Sequence, residues 1–405
     1  MKIALAHNFY QQRGGEDINF QKERDLLKRA GHDVVEYCRS NYEAGQYSSL
    51  GQISLAKQTI WASDTRAEFR ELLLRERPQI AHVYNTFVMI SPSIYWACRD
   101  AGVPVVQTLR NYRLSCPAGD FFRDGRVCEE CKEHSLLRGV CYGCYRGSRP
   151  ATATVALMLR VHRWKQTWTR MVDRYVALTE FSCQKFREAG LPPHKLTVKP
   201  NFVDPDPGVG SAPRGYALFV GRLSREKGVA SLLSAWERLP RSIPLRIIGD
   251  GPLREELQAR AEQQGLSSLT FYGRLEHPEV VAMMQGARFL VFPSECYENC
   301  PTTILEAFAC GVPVIASALG GMQELVENGR TGLYFRPCDP LDLAEKVQWA
   351  WFHRERAASM EREARAEYEK KYTAEKHYQI LMEIYRCVTS SRAAVRALDF
   401  SPVGA

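Results

Sequence analysis

One pattern limits this chain more than any other: short β-branched apolar runs alternate with helical periodicity, first in one half and then again in the other. In the first half the runs are Lys2–Ala6, Asp33–Tyr37, Gln79–Tyr84, Val103–Thr108, Arg174–Thr179 and Lys195–Lys199. In the second they are Tyr216–Gly221, Pro244–Gly249, Leu269–Gly273, Arg288–Pro293, Val312–Ser317 and Gly332–Arg336. Strands separated by helices must run parallel, and parallel sheets are covered on both faces. The expected fold class is α/β: two doubly wound, Rossmann-like domains facing across a cleft, with ligands at the carboxyl ends of the strands. The Pro- and Gly-rich stretch PDPGVGSAP divides the halves and reads as a linker. The expected boundaries are a first domain over residues 1–204, a linker over 205–213 and a second domain over 214–370. A C-terminal helix over 371–390 packs back on the first domain through Tyr378, Leu381, Ile384 and Tyr385, and 391–405 form a weakly ordered tail.

Bulk properties exclude little but point consistently. The 405 residues are 45% hydrophobic and 25% charged, which is enough for large cores. A net charge of +8 fits anionic small ligands or an anionic membrane surface without requiring nucleic acid. Thirteen cysteines, an odd number, argue against a disulfide scaffold. The opening MKIALAHNF reads as a first strand rather than a leader, and no apolar run reaches the length of a membrane span, so a cytoplasmic protein is expected.

The candidate chemistry concentrates in PSECYENCPTTILEAF. Glu298 lies in a loop after a strand, and Glu306 lies inside a helix that starts near Pro301. If the span is mostly helical, the eight positions between them cover roughly 12 Å. That is too far for a hydrolytic pair of carboxylates at about 5–10 Å. It suits two carboxylates holding opposite ends of a long polar ligand, with the helix N-terminus at its anionic middle; a nucleotide sugar has that form. Arg222 and Lys227, in the loop GRLSREKG, can clamp a diphosphate or form a plain solvated turn. The turns IIGDGP, with Gly251, and FYGRLEH, with Arg274, can bring backbone close to a flat base. Gly14 and Gly15 in QQRGGED precede a helix and can offer N–H groups to a phosphate.

Taken together and in order, GRLSREKG, IIGDGP, FYGRLEH, PSECYENCPTTILEAFACGVPVIAS and GGMQELVENGRTGLYF resemble the nucleotide-sugar half of retaining glycosyltransferases of family 4, which have the GT-B fold. The likeness is dense from Tyr216 to about Arg336 and looser through RGGED, HVYNTFVMISPS, TLRNYRLSCP and DRYVALTEFS. It points toward bacterial enzymes of exopolysaccharide, capsule or O-antigen synthesis. The resemblance implies that Glu298 contacts the donor sugar, Glu306 the ribose hydroxyls, and Arg222 and Lys227 the diphosphate. It lays the backbone of Asn299, Cys300, Pro301, Thr302 and Thr303 along phosphates and sugar, and brings Gly15, with Gly14, over the diphosphate. It further implies a metal-independent transfer with retention, from a nucleoside-diphosphate sugar to a glycan or polyprenyl-diphosphate-linked acceptor.

Two positions depart from the family pattern. Asn299-Cys300-Pro301 replaces a common Gly-Phe-Gly, and Arg110 in TLRNYR stands where many relatives carry His. Arg cannot act as a base at neutral pH, though it can bind an acidic acceptor group. Arg110, Asn111 and His7 are the acceptor-side candidates, with a structural role for His7 as the alternative.

Residues 114–150 form a cysteine-rich insertion in which Cys128/Cys131 and Cys141/Cys144 have zinc-ligand spacing. A structural zinc on Cys128, Cys131, Cys144 and either Cys116 or Cys141 is one reading; a reduced, apolar-packed loop is the other, with a disulfide as a third. The segment Val155–Asp173 has an apolar stripe at Leu157, Val161, Trp164, Trp168, Met171 and Val172 among many arginines. It reads as an interfacial helix at the inner face of a membrane, or as a helix packed on the first sheet with a wet basic face. Two other functional classes remain open at this level: a basic zinc-knuckle module for nucleic acid, and a sugar-nucleotide epimerase.

Overall fold

A computed structural model describes residues 1–12, 14–44, 51–211 and 213–399, the last nine as backbone alone. The chain forms two compact units, one of Met1–Gly119, Glu129–Lys199 and Tyr378–Ala405, the other of Asp120–Cys128 and Pro200–His377.

In the first unit the strands are β1 (Lys2–Phe9), β2 (Asp33–Ser40), β3 (Ile80–Val83) and β4 (Val105–Thr108). A two-stranded hairpin, β5 (Phe122–Arg123) and β6 (Arg126–Val127), follows in the chain but belongs to the second unit. The first sheet is completed by β7 (Arg174–Ala177) and β8 (Leu196–Val198) and is parallel throughout, in the order β2-β1-β3-β4-β7-β8. The second unit holds β9 (Tyr216–Val220), β10 (Leu245–Ile248), β11 (Leu269–Gly273), β12 (Ala287–Phe292), β13 (Val314–Ser317) and β14 (Gly332–Phe335). Its sheet is also parallel, in the order β11-β10-β9-β12-β13-β14. Each of the expected strand runs is a strand. The cause is visible in β1, where every residue from Ile3 to Asn8 is buried, as a strand covered on both faces requires.

The helix Ala374–Asp399 sends Leu381, Ile384, Tyr385 and Val388 into the core formed by Ile3, Leu5, Phe20, Ile80 and Val106. The tip of that stripe enters a buried polar network. The Tyr385 hydroxyl pairs with His82 Nδ1 at 2.7 Å, and His82 Nε2 pairs with Thr108 Oγ1 at 2.8 Å. Tyr84 donates from its hydroxyl to Glu23, and the Lys199 ammonium closes the network on the other Glu23 oxygen at 2.7 Å. Glu23 and Lys199 are both fully buried, so each is the other's compensating charge.

The structure corrects several expected boundaries. The chain changes unit at Lys199/Pro200 rather than after residue 204, because Asn201 donates to Cys300 O at 2.7 Å and Val203 N to Tyr372 O at 3.0 Å. Part of the cysteine-rich insertion leaves the first unit: Phe121 is buried against Tyr297, ring centroids 6.0 Å apart, which fixes the hairpin to the second. The helix read over Val155–Asp173 is two helices, Arg149–Trp164 and Thr167–Arg170, broken where Gln166 takes a left-handed backbone at φ 54°. Asp206 in the linker is held by a fork from Arg365 at 2.8 and 2.7 Å, which draws its carboxyl below the usual range. Residues 400–405 of the expected tail lie outside the described residues.

Replacing Lys199 by Met strands the Glu23 carboxylate in the core and is expected to cost about 3–5 kcal/mol. Urea denaturation followed by circular dichroism should show the earliest transition at lower denaturant, partly restored when Glu23→Gln is added.

Candidate active site

In the second unit three loops at strand carboxyl ends are packed backbone to backbone. The loop after β9 runs from Gly221 to Gly228 and contains one 3-10 turn, Arg225–Lys227. Gly228 has φ 66°, and a Cβ there would lie 1.9 Å from the Pro293 carbonyl oxygen, so only glycine permits this approach to the loop after β12. Glu295 N and Ser294 Oγ both donate to Glu226 O, at 2.8 and 3.1 Å. On the other side, a Cβ at Gly251 would lie 2.4 Å from Leu223 O. Leu223 N donates to Asp250 O and Leu253 N to Leu223 O, each at 3.0 Å.

This packing delivers Lys227 to Glu298. The ammonium lies 2.5 Å from Glu298 Oε1, and Ser294 Oγ donates to the same oxygen at 2.6 Å. Burial alone would lower the Lys227 pKa; the Glu298 carboxylate outweighs it and raises the ammonium above the ordinary lysine range. Lys227 therefore stays cationic at neutral pH. The Glu298 side chain is 14% exposed, and among the described residues no donor takes its second oxygen. That oxygen is free to accept from a ligand hydroxyl.

Beyond Glu298, Asn299 and Cys300 are buried and Pro301 caps the helix Thr302–Ala309 with no side-chain hydrogen bond. An uncapped helix start presents N–H groups and the positive end of the dipole. Thr302 and Thr303 lie in that first turn, half-buried. Glu306, one turn further, takes His277 Nε2 at 3.0 Å. Arg222 and Arg274 are exposed at the ends of β9 and β11, and no carboxylate among the described residues pairs with either. Of these contacts, the Ser294 and His277 bonds to the glutamates were absent from the sequence reading. Ser294 lies two residues past the end of β12 at Phe292, and nothing in the sequence marks it as a partner four residues from Glu298.

In the first unit the structure separates the acceptor-side candidates. His7 is fully buried, stacks on Phe20 at 4.4 Å and pairs with Asp17 Oδ1 at 2.8 Å, so it serves the core and the helix Gly15–Arg29. Gly14 caps that helix, and neither Gly14 nor Gly15 has an atom within 4 Å of a built Cβ, which leaves the turn open; the adjacent Arg13 lies outside the described residues. Arg110 lies over the Tyr84 ring at 5.7 Å, and Asn111 Nδ2 donates to Glu16 at 3.0 Å. Arg110, Asn111 and Glu16 line a pocket that opens to solvent. Its wall includes Gln107 and Trp168, whose Oε1 and Nε1 are buried without hydrogen-bond partners among the described residues. Such groups fit a polar ligand or water. Glu16, Gln107 and Trp168 were not among the candidates, because only the tertiary fold brings them together.

Among the described residues no three His, Cys, Asp or Glu side chains are gathered to hold a metal.

Two family models match the chain: a glycosyl transferase 4-like domain over residues 24–201, and glycosyl transferases group 1 over residues 211–367. The D-rhamnosyltransferase WbpZ of Pseudomonas aeruginosa is 35% identical over 161 residues, 39% of this chain and 42% of the relative. Sulfoquinovosyl transferase SQD2 of Arabidopsis thaliana is 31% identical over 309 residues, 74% of this chain and 54% of the relative. The chain thus spans about half the length, or less, of these curated relatives. Among solved structures, Anabaena HepE in complex with UDP-glucose superposes with a TM-score of 0.68 at 19% identity, covering 96% of this chain and 100% of that one. Sucrose-phosphate synthase from Thermosynechococcus elongatus gives 0.71 at 18% identity, covering 96% and 99%. At such identities these likenesses speak to fold. The comparisons lend no support to a nucleic-acid module or an epimerase.

Gly228→Ala forces a left-handed alanine against a backbone carbonyl and is expected to cost at least about 2–4 kcal/mol. Calorimetry should show a Tm lower by roughly 5–15 °C for the second unit's transition.

Proposed function

We propose, from a chain that belongs to the family 4 type of glycosyltransferases with the GT-B fold, that it moves a sugar from a nucleoside diphosphate to a glycan or polyprenyl-diphosphate-linked acceptor, with retention of configuration and without a metal. The observation that carries this reading is the Lys227–Glu298 pair at the head of an uncapped helix, with Glu306 one turn behind it. Lys227 and the unpaired Arg222, with the helix start, meet the charge that develops on a departing diphosphate. Glu298 offers its second oxygen to a hydroxyl of the donor sugar, and Glu306 serves the ribose.

In this reading the acceptor oxygen attacks the anomeric carbon on the face from which the diphosphate leaves. The bond to the diphosphate oxygen breaks, and the acceptor proton passes to that oxygen. A cationic clamp supplies the stabilisation that a divalent ion gives in other transferases. Arg110 and the pocket of the first unit receive the acceptor. The relative named as an O-antigen chain mannosyltransferase in Escherichia coli, and HepE solved with UDP-glucose, support a surface-polysaccharide role and a nucleotide-sugar donor. A lipid-linked acceptor further places the enzyme at the cytoplasmic face of a membrane.

A thermal-shift panel of UDP-, GDP- and ADP-sugars should identify one donor class by a concentration-dependent rise in Tm. With that donor, Glu298→Ala and Lys227→Ala are each expected to lower kcat/KM by about 100-fold or more while circular dichroism shows the fold intact. Substantial transfer by the Glu298 variant, or an inverted anomer by NMR, would overturn the assignment. Chelation with EDTA should leave turnover unchanged, and its loss would remove metal independence.

A further inference from the structure

No helix among the described residues is long and apolar enough to cross a membrane, yet one face of the first unit is dressed for a membrane surface. The helix Arg149–Trp164 turns Val155, Met158, Leu159 and His162 inward, all buried. At 100° per residue, Arg149, Ala153, Leu157, Arg160 and Trp164 then share one outward arc. All five are exposed, Trp164 at 80% and Leu157 at 50%. The helix Leu136–Tyr142 packs beside it, tied by Arg149 Nε donating to Cys141 O at 2.9 Å, and exposes Leu137 at 66% and Tyr142 at 52%. The helix Gly51–Ile60 packs on the same element and adds exposed Ile53 and Lys57. Five of the twelve large apolar side chains exposed among the described residues therefore fall on these three helices, a concentration that isolated surface residues do not explain.

The charge on this face has one sign. From Ser135 to Val172 there is no Asp or Glu, while Arg138, Arg146, Arg149, Arg160, Arg163, Lys165 and Arg170 are present. The helix Gly51–Ile60 has no acid either. Among the described residues no carboxylate pairs with any of the seven cations. Lys165 lies over the Trp61 and Trp164 rings, at 5.0 and 5.6 Å. An acidic protein partner would require matching carboxylates but not the interleaved Trp and Leu. A bilayer meets both demands, with acyl chains for Trp164, Leu157 and Leu137 and anionic headgroups for the arginines.

We propose that the outer face of the helices Leu136–Tyr142 and Arg149–Trp164 is a docking surface for an anionic lipid bilayer. The inference deepens the reading of a lipid-linked acceptor and rests on it for its purpose, though the surface is argued from its own residues. The bilayer then holds the first unit where such an acceptor lies.

Flotation of the full chain with phosphatidylcholine vesicles carrying phosphatidylglycerol, against phosphatidylcholine alone, tests it. The chain should float with the anionic vesicles only, less so as salt rises. The double variant Arg146→Ser/Arg160→Ser should weaken partitioning by about 20- to 30-fold, and Trp164→Ser by several-fold. Both are expected to keep the donor-induced Tm rise of the parent, which shows that they fold. Absence of flotation, flotation indifferent to both variants, or equal capture by soluble heparin that survives Trp164→Ser would each overturn the surface. A donor panel with no Tm rise at all would instead sink the transferase reading and leave the vesicle result standing.

Discussion

The contact on which the candidate site depends is a backbone approach rather than a side-chain bond: Gly228 against the carbonyl of Pro293. It brings the loop after β9 onto the loop after β12, and only then can Lys227 reach Glu298 at 2.5 Å. Neighbouring features of the candidate site follow from that registration. Ser294 is positioned to share Glu298 with the lysine, and the segment Asn299–Pro301 is led into the uncapped helix start. A site meant to stabilise developing charge must be rigid before the ligand arrives, and loops joined backbone to backbone meet that demand better than loops held by long side chains.

The first unit solves a different problem. Its C-terminal helix comes from the far end of the chain and must be held on a sheet built almost entirely from the first 200 residues. Apolar packing through Leu381, Ile384 and Tyr385 supplies the bulk of the attachment, and the His82–Tyr385 bond supplies its register. The buried Glu23–Lys199 pair adds little net stability by itself, but each charge is costly without the other. The pair therefore ties the middle of the helix Gly15–Arg29 to the end of β8.

How legible the chain was varies with the physics of each element. The strands were plain because a strand buried on both faces is a short, continuous apolar run, and β-branched residues mark it. Glu298 and Glu306 stand out in the sequence as candidates because they punctuate a loop and a helix with recognisable start signals, Pro301 and two threonines. The helix around Trp164 ends earlier than its apolar periodicity suggests: the left-handed turn at Gln166 breaks it, so that Trp168 is buried on a separate short helix while Leu157 and Trp164 are exposed on the first. Gln166 carries no sequence signal for that conformation.

The alternation of runs and helices already settles the fold class, since parallel pairing, double coverage and the placement of loops at strand ends follow from local periodicity and connection length. Charge and residue type settle the chemical vocabulary: two carboxylates, a lysine, arginines and a helix start. Local pattern cannot choose which of these groups meet, because their contacts cross up to 71 residues of chain, as between Lys227 and Glu298. Such pairings depend on backbone approaches and packing angles that are global properties of the folded chain. The same holds for exposure: Trp164 is apolar wherever it is read, and only the packed helix shows that it faces out.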